Sequence, residues 1–136
     1  MRFMMLMIPK GYESAEPGAA PDVEAVEAMM KYNEELQKAG VLIALDGLHP
    51  PSMGARVRFD GDKPVVTDGP FAEAKEVLGG YWMIRVGSRA EAIDWAKRCP
   101  ASSNEIIEIR QVQELEDFPD DVREVAGKYP EMQPKA

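Results

Sequence analysis

The order of apolar segments predicts an α+β fold, a split βαβ pattern carrying one extra hairpin in its middle. Three observations carry this expectation. Two stretches with helical periodicity, near residues 22–39 and 88–99, are each flanked by short apolar runs. Those runs are of strand length and are bounded by glycine, proline and aspartate. The chain has 136 residues and is 45% apolar, which suits one domain with a substantial core.

Each element can be justified in turn. Residues 3–8 are continuously apolar, the pattern of a strand buried on both faces. With Arg2 ahead of it this run has the look of a stunted signal peptide. Pro9, Lys10 and Gly11 follow at once, however, and no small-residue cleavage site is visible, so a first strand is the better reading. Residues 10–21, with Pro17 and Pro21, read as a surface loop. Asp22 is placed to cap a helix reaching about residue 39, with Val26, Met29, Met30 and Leu36 on its apolar face and Gly40 as its stop. Glu27 with Lys31 and Glu34 with Lys38 pair one turn apart on the wet side.

Residues 41–45 are apolar on both faces and read as another interior strand. Asp46-Gly47 bends the chain, and Pro50-Pro51 forbids a helix there. Residues 55–59 alternate, with Ala55, Val57 and Phe59 on one side and Arg56 and Arg58 on the other. Asp60-Gly61 then signals a hairpin that returns over residues 64–67. Residues 80–86 form a strand with Trp82, Ile84 and Val86 opposite Tyr81, Met83 and Arg85. Ser88-Arg89-Ala90-Glu91 is a capping box that opens the second helix, which ends near Cys99 ahead of Pro100. Residues 105–112 are the last strand. From Gln113 onward seven acids outnumber three bases, so residues 113–136 form an acidic extension, helical around 120–125 or mobile, beside a folded unit at 1–112.

Without the hairpin this is a ferredoxin-like βαββαβ order, which puts both helices on one face of the sheet. Strands that are apolar on both faces then need cover on the second. The chain has no spare helix for it, so the expected cover is the same face of a second copy, making a homodimer. Sixteen basic against twenty-four acidic residues give a net charge of −8, which would repel a phosphate backbone, so nucleic acid is not expected as a partner. No window has the apolar length of a transmembrane helix, and no membrane partner is expected either. A single cysteine, Cys99, allows no internal disulfide and is compatible with the cytoplasm. One histidine and one cysteine are too few for a structural zinc site, no carboxylate spacing suggests magnesium or calcium, and no Gly-x-Gly-x-x-Gly or Walker pattern exists. No metal or cofactor is therefore expected.

The densest segment is Thr67-Asp68-Gly69-Pro70-Phe71-Ala72-Glu73-Ala74-Lys75-Glu76, followed by Leu78-Gly79-Gly80-Tyr81. Together with Gly47-Leu48 ahead of Pro50-Pro51-Ser52 and the Arg-Val-Arg strand at residues 56–58, it resembles the signature of the DGPF-domain branch of the YCII-related family. The resemblance covers roughly residues 2–112. It implies a dimeric α+β barrel of ferredoxin-like units and says little about chemistry. Some compact members of the wider family are similar to His–Asp acid–base enzymes whose histidine lies near the first helix. Here residues 22–39 hold no histidine, and Tyr32 and Asn33 are the nearest polar side chains. The resemblance places Asp46 near the position of the family's aspartate.

Candidate site residues follow from side-chain chemistry. Asp68 precedes Gly-Pro and suits a turn whose carboxylate accepts backbone N–H groups. Beside Phe71 it could instead be desolvated and serve as an acid–base group. His49 is either a solvated loop residue or a proton shuttle. Phe71 lines a pocket or plugs the core, and Pro70 stiffens the turn in both cases. Lys75, between Glu73 and Glu76, belongs to a solvated charged face or receives an anionic group. Gly79-Gly80 allows a bend or close backbone approach at a strand entry. Two function classes result. One is a small-molecule acid–base enzyme of lyase, isomerase or dehalogenase type, with Asp68 or His49 moving the proton and a pocket near the Asp-Gly-Pro-Phe turn. The alternative is a non-catalytic dimeric binding or regulatory module that holds a metabolite in that pocket.

Overall fold

The computed structural model describes residues 1–18, 20–71 and 76–133. In chain order its elements are β1 (Arg2–Ile8), α1 (Val23–Lys38), β2 (Leu42–Gly47), β3 (Ala55–Asp60), β4 (Lys63–Asp68), β5 (Gly80–Arg85), α2 (Arg89–Lys97), β6 (Ile106–Gln111) and α3 (Asp120–Gly127). Four strands form an antiparallel sheet in the order β2-β5-β1-β6, and β3 and β4 form a separate hairpin. This is the α+β, ferredoxin-like arrangement with an inserted hairpin that the sequence predicts.

The helices share one face because their apolar stripes meet the same side of the sheet. Tyr32 and Leu36 of α1 and Ala92 of α2 join Phe3, Met5, Met7, Trp82, Ile84 and Val86 in the core, with Trp95, Cys99, Ile107 and Ile109 packed against it. The Tyr32 and Trp82 rings meet edge to face at 5.7 Å, and the Tyr32 hydroxyl donates to the Trp95 carbonyl at 2.6 Å. The Ser88 hydroxyl accepts from the Glu91 N–H at the start of α2, while the Glu91 carboxylate reaches back to the Gly87 N–H. Asp22 holds the N-cap position of α1 without a side-chain hydrogen bond; its carbonyl accepts from Val26.

Two expectations need correction. Residues 41–45 do not form an interior strand, since β2 is the sheet edge, paired only with β5. Its apolar run has a local cause. The register slips between Leu42 and Ala44, so both Leu42 and Leu45 pack on the helix side while Ile43 is left 43% exposed. Nor is β1 buried on both faces: Phe3, Met5 and Met7 are buried, whereas Arg2, Met4, Leu6 and Ile8 are only half covered.

Register fixes what each face carries. The helix side holds the rows Leu45–Trp82–Met5–Ile109 and Gly47–Gly80–Met7–Ile107. The outer side holds Ala44–Met83–Met4–Arg110 and Asp46–Tyr81–Leu6–Glu108. Every residue of β3 and β4 except Val65 is exposed, so the hairpin projects from the sheet. After β6, Glu114 returns to the sheet as a two-pronged partner of Arg2, with Nε to Oε1 at 2.6 Å and the second guanidinium nitrogen to Oε2 at 3.0 Å.

Candidate functional site

A cleft of about 480 Å³ opens between the first half of α1, the end of β2, the start of β5 and the loop after α2. Its origin is a missing pair of side chains. Gly47 and Gly80 lie opposite each other on the helix side, so the floor there is bare backbone. Pro21 and Ala25 are also small and leave the roof open above it. A Cβ on Gly80 would come 2.9 Å from the Asp46 carbonyl, whereas one on Gly47 would meet nothing closer than 4.0 Å. The walls are apolar: Met7, Leu45 and Trp82 from the sheet, Val26, Met29 and Met30 from α1, and Pro100 beyond α2.

Three polar side chains break these walls. Asn33 is only 9% exposed, and its Oδ1 accepts from the Trp82 indole N–H at 2.7 Å. Its Nδ2 contacts the Met30 thioether at 3.5 Å. Ser102 and Glu105 sit at the opposite wall, where the Glu105 carboxylate accepts from the Ser102 N–H at 2.7 Å. Below them Cys99 lies half-buried with its thiol against Met29, and burial, helped by the Glu105 charge, pushes that thiol up to about 11.

Asp46 and Tyr81 contribute to the cleft boundary, but strand alternation puts their side chains on the outer face beside Leu6. There the Tyr81 hydroxyl donates to the Asp46 carboxylate at 2.9 Å, and that hydrogen bond, with the carboxylate charge, raises the phenol above its ordinary value.

The Asp-Gly-Pro-Phe segment builds the loop end next to this cleft. The Gly69 N–H donates to the Gly54 carbonyl at 2.8 Å, and the Gly69–Pro70 peptide is cis. A Cβ on Gly69 would lie 1.7 Å from the Pro51 carbonyl oxygen, so glycine is required by contact. Gly79 is just as tightly placed, its Cβ position being 2.4 Å from Pro9. The Gly79 N–H donates to Met7 and its carbonyl accepts from Leu48. The Tyr12 hydroxyl also donates to the Leu48 carbonyl, and the Ser52 hydroxyl donates to the Ala15 carbonyl at 2.9 Å. Three loops are thus tied together around the ends of β1, β2 and β5.

Of the described residues singled out from sequence, Asp46 borders the cleft with its side chain on the outer face, and Asp68, His49, Pro70 and Phe71 are not among the lining. Asp68 ends β4 in an exposed position opposite Ala55. His49 is exposed in the loop before Pro50, and no hydrogen bond or ion pair joins it to Asp68. Phe71 is half-buried with the Arg56 guanidinium 4.1 Å over its ring, and Pro70 is exposed beside it. Lys75 lies outside the described residues. Sequence reasoning named Asn33 only as a polar residue of the first helix and did not place it at a cleft. The signal was present: Asn33 shares the buried side of α1 with Tyr32 and Leu36, and an amide there needs a partner.

Residues 1–116 match the model of the family described as YCII-related domain. The chain is also 40% identical over 76 residues to an uncharacterized protein of Rhizobium meliloti (strain 1021), an overlap that covers 56% of each chain. No helix among the described residues is long and apolar enough to cross a membrane.

Proposed function

The chain belongs to the YCII-related family, and from that premise we propose that it is a small-molecule-binding module whose ligand occupies the cleft between α1 and the β2–β5 end of the sheet. The observation that carries this reading is the glycine-floored cavity itself. Its volume of about 480 Å³ and its apolar walls with few polar groups have the character of a small-ligand site. The Asp-Gly-Pro-Phe segment, which motivates assignment to the DGPF branch, supports the site by holding loops in place rather than by supplying a reactive group.

Gly47→Leu tests this directly, because the added side chain enters the open space above the floor. A ligand found by thermal shift against a metabolite library should lose binding to this variant and keep it in His49→Ala and Asp68→Asn. Binding that survives Gly47→Leu and disappears with either control would place the site elsewhere.

A second reading, acid–base catalysis on the outer face of the sheet and not in the cleft, is favoured by the Asp46–Tyr81 hydrogen bond there. It predicts that turnover of a ligand, followed by solution NMR, vanishes in Asp46→Asn and Tyr81→Phe and survives Gly47→Leu. Ligand release without any chemical change in the wild type leaves the binding reading alone.

We also propose that two copies pair through the outer sheet face, where Met4, Leu6, Ile8 and Met83 are only half covered by their own chain. Sedimentation velocity at micromolar concentration should give a dimer, and a single monomeric boundary would refute the pairing. A cytoplasmic location fits a chain whose one cysteine is half-buried and stays protonated at neutral pH.

A further inference from the structure

The polar groups of the cleft differ in what they still have to offer. Trp82 Nε1–H occupies Asn33 Oδ1, which fixes the amide with its nitrogen turned the other way. That nitrogen carries two hydrogens, and its one contact among the described residues is a thioether sulfur at 3.5 Å, a weak acceptor. Asn33 is more than nine-tenths buried, borders the cleft, and so keeps donor capacity in an apolar setting where an unmet donor is costly. Charge is equally one-sided. Among the described residues, lysine, arginine and histidine are missing from the lining, whose carboxylates are Asp46 on the outer face and Glu105 on the far wall. An anion entering here would find no counter-charge. Glu105 accepts from the Ser102 N–H through one oxygen, which ties the carboxylate to its own loop.

Building on the ligand-binding reading of the cleft, we propose that it takes an uncharged, mainly apolar molecule through a carbonyl-type oxygen that accepts a hydrogen bond from Asn33 Nδ2. The body of the ligand lies on the Gly47–Gly80 floor between Met7, Val26 and Trp82. The corresponding carboxylate is rejected, because the described lining offers it only neutral donors, the Asn33 amide and the Ser102 hydroxyl, and no positive charge.

Four ring compounds of nearly equal size separate the possibilities: acetophenone, ethylbenzene, benzoate and benzylamine. Each is titrated up to millimolar concentration into the full-length protein, with the combined fluorescence of Trp82 and Trp95 and nitrogen–proton correlation spectra as readouts. Acetophenone should bind about 2- to 12-fold more tightly than ethylbenzene, the range expected for one neutral hydrogen bond. It should move the Asn33 side-chain amide resonances, and benzoate should bind more weakly than either. Asn33→Asp keeps an oxygen for Trp82 while removing the donor, so it should erase the preference for the ketone and leave ethylbenzene binding in place. If that variant does not fold, the order of affinities and the Asn33 amide shift in the wild type decide the matter.

Acetophenone binding no more tightly than ethylbenzene, or tighter binding of benzoate or benzylamine, overturns the inference. So does an Asn33 amide that stays still on saturation. In each of these cases loss of ring binding in Gly47→Leu keeps the cleft as the site. Ring binding that is unchanged in Gly47→Leu, or absent for all four compounds, overturns the ligand-binding reading as well.

Discussion

At the scale of single residues, a hydrogen bond sets the behaviour of one ion pair and burial that of a lone thiol. Arg2 and Glu114 have side chains only 15% and 26% exposed and meet in a two-pronged contact. Glu114→Gln should therefore cost about 1–2 kcal/mol at neutral pH in urea unfolding. The Arg2 hydrogen bond holds the Glu114 carboxyl below its ordinary value. The resulting stabilisation is complete above the ordinary carboxylate range and is lost as pH falls through the lowered value, so the gap between wild type and variant should close in acid. Cys99 shifts the other way. Its thiol is raised from 9.0 to about 11, first by burial and then by the Glu105 charge. The protonated thiol stabilises the fold below pH 9, and that contribution is lost as pH rises towards 11. Cys99→Ala should flatten the alkaline limb of the stability profile. Iodoacetamide should label wild-type Cys99 slowly at neutral pH, and rapid labelling of the folded protein would contradict the assignment.

Among the elements, the loop end of the sheet depends on glycines in two different ways. Gly69 cannot accept a side chain because the Pro51 backbone occupies its place. Gly69→Ala should lose about 1–3 kcal/mol, the usual cost of forcing atoms into a filled space. Gly47→Ala should change stability little in the same denaturant series, since its nearest neighbour is 4.0 Å away. The positions of the elements were legible in the sequence. Apolar periodicity located both long helices and every strand to within a few residues, and Asp60-Gly61 located the hairpin tip. Two things were not legible. The edge placement of β2 was hidden because an irregularity mixes its inner and outer residues into one apolar run. The cleft was hidden because it is made of side chains that are missing. Gly47 and Gly80 read along the chain as bends, and only their cross-strand pairing turns them into one floor. Residue chemistry likewise drew attention to His49 and Asp68, which are exposed, while Asn33 was named only as a polar residue of the first helix and not as part of a cleft.

For the whole molecule, the two faces of the sheet differ in what they carry. The helix side holds the core and the cleft, and the outer side combines half-covered methionine and leucine with the Asp46–Tyr81 and Arg2–Glu114 pairs. If that outer side is where two copies meet, Leu6→Asp at the centre of β1 should give monomers in sedimentation without unfolding the sheet. A dimer of unchanged affinity would mean that another surface is used. The β3–β4 hairpin belongs to neither face. It stands clear of the core, exposes Val57, Phe59 and Val66 along one side, and turns at Gly61 with φ 59°. A segment so loosely coupled to its scaffold is a natural grafting point. A fluorophore, an epitope or a short foreign peptide spliced between Asp60 and Asp62 should leave melting temperature and cleft occupancy where they were, giving a handle for watching the molecule at work.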